Sequence, residues 1–75
     1  MTKSQVQALK SLSLTKWECA YGLQQSLSTL FSLENRGFAL CKGRGEPGAF
    51  SNPRMCLDFR LTATGYAALK EIEHD

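Results

Sequence analysis

Between Leu23 and Arg54 the chain carries first a set of hydrogen-bonding side chains and then a set of positive charges. Gln24, Gln25, Ser28, Thr29, Ser32 and Asn35 make up the first set; Arg36, Lys42, Arg44 and Arg54 make up the second. Amides and hydroxyls can read the donor and acceptor edges of base pairs in the major groove, and glutamine can pair bidentately with adenine. Arginine and lysine bind phosphate, which places a protein on a duplex without reading its sequence. Catalysis would need other residues. The single histidine, His74, stands beside the C-terminus, and no carboxylate pair or nucleophile motif is present. "GRGEPG" is glycine-rich but lacks the Lys-Ser/Thr ending of a phosphate-binding loop. Cys19, Cys41 and Cys56 fit neither a disulfide framework nor zinc spacing, and are expected as reduced, mostly buried thiols. No enzymatic activity, cofactor or metal is expected.

To meet one groove, the polar side chains must share one face of a helix. Leu23, Leu27, Leu30 and Phe31 recur at helical spacing with Leu33 at their edge, which predicts a helix over about 23–36. The polar set then lies opposite the leucines. Gly37 is placed to end this helix in a left-handed conformation. "FALCK" follows as a strand, "GRGEPGAFSNPR" as a loop, and "MCLDFRL" as a second strand with Met55, Leu57, Phe59 and Leu61 on one face. The two strands predict a hairpin across about Phe38–Thr62, with 42–54 at its tip. Phe50, inside that loop, either folds back on the hairpin or is an exposed contact residue.

The flanks complete the frame. A first helix is expected from about Lys3 to Leu12, opened by a Thr2/Gln5 capping box, with Val6, Leu9 and Leu12 as its inner stripe. "LTKWECAYG" reads as a short second helix, capped by Thr15 with Glu18 and stopped by Gly22; Trp17, Ala20 and Tyr21 share its face. Thr62 is placed to cap a last helix. Gly65 in its first turn costs about 1 kcal/mol relative to alanine, which points to a close backbone neighbour there.

Seventy-five residues allow one domain, 1–75, with a small core. The net charge is +2, but three of the seven acids, Glu71, Glu73 and Asp75, lie in the last five residues. Residues 1–70 carry nine basic against four acidic side chains, a difference of +5, which permits an anionic partner. No apolar run reaches membrane-spanning length and the N-terminus lacks a signal-peptide core, so the expectation is a cytoplasmic protein with no membrane partner.

Two segments resemble a known family. "LSTLFSLENRGFA" is similar to the end of the recognition helix and the start of the wing in bacterial MarR-like repressors. "FRLTATGYAAL" is similar to the segment after their wing, where a strand runs into Leu-Thr, two variable residues, Gly and a helix. Together they cover roughly a third of the chain. The chain lacks the long flanking helices of those repressors, which brings it nearer to minimal winged-helix proteins of bacteriophages and mobile elements. The resemblance implies an α+β winged helix: a three-helix bundle, a β-hairpin wing and a C-terminal helix. It implies a transcriptional regulator that binds double-stranded DNA; because a lone domain of this size offers few contacts, a homodimer through the first or last helix (Tyr66, Leu69 and Ile72 in the latter) is expected. Gln24, Gln25, Ser28, Thr29 and Ser32 would read bases, while Arg36, Lys42, Arg44 and Arg54 would hold phosphates. The rival reading is a small winged-helix module that binds protein, such as a phage-type inhibitor of a host nucleic-acid-handling complex.

Overall fold

The computed structural model describes residues 1–74, without the side chain of His74; that side chain and Asp75 lie outside the described residues. It is an α+β fold of six helices and a three-stranded antiparallel sheet. Helix α1 (Lys3–Ser11) opens with the expected capping box: the Gln5 N–H donates to Thr2 Oγ1 at 3.1 Å, and the Thr2 N–H donates to Gln5 Oε1 at 3.0 Å. Its inner side buries Ala8 and Leu9 and half-buries Val6, and Leu12, the extended residue that ends it, is also buried.

The expected second helix is not where its pattern puts it. Residues 13–16 form a turn in which Ser13 Oγ accepts the N–H groups of Thr15 and Lys16, both at 3.1 Å. Strand β1 (Glu18–Cys19) follows, and the helix itself, α2, is only Ala20–Leu23. Thr15 and Glu18 therefore cap nothing. Cys19 is the N-cap, its Sγ accepting the Gly22 N–H at 3.4 Å. The reason is tertiary. Strand β3 (Asp58–Leu61) has an open edge, and pairing with it satisfies backbone groups that a helix over 15–22 would leave there.

Helix α3 (Leu27–Asn35) buries Leu30 and Leu33. It ends as its glycine predicts. Gly37 has φ +80, its N–H donates to the Glu34 carbonyl at 2.9 Å, and the Phe38 N–H donates to the Leu33 carbonyl at 3.0 Å. These two bonds are the Schellman pattern and satisfy the last carbonyls of the helix.

Strand β2 (Ala39–Lys42) leaves this corner and pairs with β3, Ala39 opposite Leu61 and Cys41 opposite Phe59. The sheet order is β1-β3-β2. Alternation sends Ala39, Phe59 and Leu61 into the core, where they meet Leu9, Leu23, Leu30, Leu33 and Leu57. The second strand is shorter than its alternating pattern. Met55 and Cys56 belong instead to a short helix, and Met55 is exposed. The connection between β2 and β3 thus holds two short helices, α4 (Pro47–Ser51) and α5 (Pro53–Cys56), each with proline in its first turn. Neither buries a residue.

Thr62 opens α6 (Ala63–His74) as expected. Its Oγ1 accepts the Gly65 N–H at 2.9 Å and donates to the Gly37 carbonyl at 2.7 Å, tying α6 to the corner after α3. Gly65 packs directly on the Phe38 carbonyl, where no Cβ would fit. No helix among the described residues is long and apolar enough to cross a membrane.

Candidate nucleic-acid interface

The segment expected as one helix over 23–36 is two helices and a turn. Gln24 adopts a left-handed conformation, φ 57, and ends α2. Ser26 then caps α3, its Oγ accepting the Thr29 N–H at 3.3 Å. Serine is a middling helix former and a strong N-cap, so a serine midway along the leucine pattern is a natural break. Leu23 belongs to α2, and Gln24 and Gln25 lie in the turn rather than on the helix. The turn is the three residues between Leu23 and Leu27. The Gln25 N–H donates back to the Ala20 carbonyl at 3.2 Å, which closes it.

The remaining polar side chains divide. Ser28 is exposed at the start of α3, and Asn35 and Arg36 are exposed at its end. Ser28 and Asn35 are seven residues apart, two turns, and so share a side of the helix. Thr29 is half-buried and its hydroxyl lies 2.7 Å from Ser26 Oγ, which commits it to the cap. Ser32 turns inward to α1, accepting a hydrogen bond from Gln5 Nε2 at 2.7 Å. Its expected place in a groove is therefore corrected: this hydroxyl joins two helices. The outward set is Gln24, Gln25, Ser28, Asn35 and Arg36, of which Gln25 is half-buried.

The basic side chains divide as well. Arg44 was expected to be free, but its guanidinium makes a two-point ion pair with Glu34 of α3, Nη1 to Oε2 at 2.8 Å and Nη2 to Oε1 at 2.5 Å. It also lies over the Phe31 ring, 5.3 Å from the centroid. The Glu34 hydrogen bonds raise the Arg44 pKa, so the side chain stays charged while its charge is compensated. The pair joins α3 to the start of the loop, and nothing in the one-dimensional pattern links two residues ten positions apart across a glycine corner. Lys42 is exposed, with Nζ 4.7 Å from the Trp17 ring centroid. Arg54 is exposed in the last turn of α5 and has no acidic partner among the described residues.

Two further features bear on chemistry. Phe50 is 98% exposed on α4, which resolves its two expected placements in favour of exposure. The cysteines are all free and half-buried, and burial pushes the Cys41 thiol above its ordinary pKa despite nearby Arg44. No group of three or more potential metal ligands occurs among the described residues. The surface offers amide, hydroxyl and guanidinium groups for contact with a partner. The chain matches no family model, no curated protein and no solved structure, so these contacts alone carry its functional reading.

Proposed function

We propose that the chain is a winged-helix DNA-binding regulator that reads duplex DNA with the outward side of α3 and the turn before it. The observation that carries this reading is the three-residue turn between α2 and α3, with the antiparallel strands β2 and β3 following α3. Two helices joined by so short a turn support a helix-turn-helix reading, in which the second helix would enter the major groove. Gln24, Gln25, Ser28 and Asn35 are then the base-reading candidates. Arg36, Arg54 and Lys42 would contact phosphate. The loop containing α4 and α5 is the wing. Such a protein would act in the cytoplasm, need no cofactor and catalyse nothing. It would bind as a homodimer, because one small domain offers few contacts.

Selection of bound sequences from a random duplex pool, followed by titration at several salt concentrations, tests this directly. A shared motif with strongly salt-dependent affinity is the expected result. Failure to enrich any motif, together with early elution from heparin, would move the assignment to a protein-binding module. That second reading draws on the fully presented Phe50 and on the compensated charge of Arg44.

A further inference from the structure

We propose that the outward face of the sheet holds a phosphate-binding site, formed by Lys42 and Arg60 around the indole of Trp17. The strand register builds it. Arg60 lies opposite Leu40 and Lys42 lies opposite Asp58, so the two basic residues are diagonal neighbours on the face that points away from Phe59 and Leu61. Glu18 lies opposite Phe59, which brings the preceding residue, Trp17, level with Arg60. The result is an indole with two cations on it: Lys42 Nζ 4.7 Å and Arg60 Cζ 4.8 Å from the ring centroid.

This arrangement leaves electrostatic work undone. Two like charges can be no further apart than their two distances to the ring combined, and they repel. A ring quadrupole attracts each cation but accepts no strong directional hydrogen bond. Neither cation has an acidic partner among the described residues, where the ion pair is Arg44–Glu34. Arg60 Nε is buried with no hydrogen-bond partner at all. That Nε is out of a ligand's reach, but the rest of the guanidinium is suited to a carboxylate- or phosphate-type oxyanion. A phosphate group has enough oxygens to meet the guanidinium and the ammonium together. A base stacked on the indole would instead compete with the cations already there. Asp58, opposite Lys42, is the nearby carboxylate on this face and weakens the site by its charge.

The ligand is either free phosphate or a backbone phosphate of nucleic acid, and one probe can tell them apart. Trp17 is the only tryptophan in the chain, so its fluorescence reports on this site. The protein is titrated with sodium phosphate at constant ionic strength, and separately with a duplex of arbitrary sequence. A saturable response to phosphate assigns the free anion. A response to duplex alone, lost in Lys42→Gln, assigns the backbone. In either arm Lys42→Gln and Arg60→Gln should weaken binding at least fivefold, and Asp58→Asn should strengthen it. Gln25→Ala, on the proposed reading surface, should leave the phosphate curve unchanged, so this site and the DNA reading can fail separately. No response in either arm, a response reproduced by chloride, or one unchanged in Lys42→Gln would overturn the proposal. Lys42 is exposed, so its variant decides the matter even where Arg60→Gln fails to fold.

Discussion

Gly65 and Arg44 show what a single residue contributes here. At Gly65 alanine is the better helix former by about 1 kcal/mol. Its Cβ, however, would collide with the Phe38 carbonyl and come within 2.8 Å of the Leu61 side chain. Backbone cannot yield as a flexible side chain can, so Gly65→Ala should destabilise by about 1–3 kcal/mol in urea unfolding. A stabilised variant would mean that α6 does not dock on this corner. The close approach was legible, because a glycine in the first turn of a helix needs a reason. The fate of Arg44 was not, since its partner Glu34 belongs to another element. On DNA, Arg54→Ala should reduce the slope of log affinity against log salt by about 0.9. Arg44→Ala should reduce it by less, because Glu34 already compensates that charge. Glu34→Gln should raise non-specific affinity by freeing Arg44. Equal slopes for the two arginine variants would show that the Glu34 pair opens on the duplex.

Among the elements, α1, the end of α3, the hairpin and α6 were legible because each carries a local signature: a capping box, a glycine corner, alternation, and a threonine cap. Strand β1 has none. Two residues hold no period, and they extend only because β3 offers an edge. The break between α2 and α3 was hidden for a different reason. Leu23, Leu27, Leu30 and Phe31 keep helical spacing through the turn, since both helices bury leucines in one core. Ser26 is the residue that enforces the break. Ser26→Ala should cost about 1 kcal/mol of stability by leaving the Thr29 N–H without its cap. It also removes the partner of the Thr29 hydroxyl, so the first turn of α3, with Ser28 on it, should fray. Hydrogen exchange at the amides of residues 28–30 is the sensitive measurement. Unchanged protection there would show that tertiary packing, rather than the cap, fixes the start of α3.

For the whole molecule, the question is how so small a domain could select a site. The molecule measures 42 × 20 × 19 Å, and on the proposed DNA-binding reading α3 would reach only a few base pairs of one groove. Ala68, Leu69 and Ile72 of α6 pack on the core of their own chain, which leaves Tyr66, 40% exposed, as the large apolar group that α6 offers to a second copy. Leu40 on the sheet and Leu14 before β1 are other exposed apolar groups, at 44% and 41%. Composition and charge could not rank these surfaces, because apolar residues at a helix face look alike whether they meet their own core or a partner's. A two-fold dimer makes a distinct demand on DNA: its selected sequence must be an inverted repeat, with half-sites about 10 base pairs apart or a multiple of that. Sedimentation of the free protein and the symmetry of the selected sequences measure the same property independently. The expected outcome is a dimer on an inverted repeat, with Tyr66→Ser weakening both self-association and binding to the full repeat while leaving half-site affinity unchanged. A monomer that selects a single asymmetric motif would leave α3 as the reader but remove the dimer. In that case the wing would have to supply the missing affinity through Arg54 and the exposed Phe50, and removing either should then cost more than removing Tyr66.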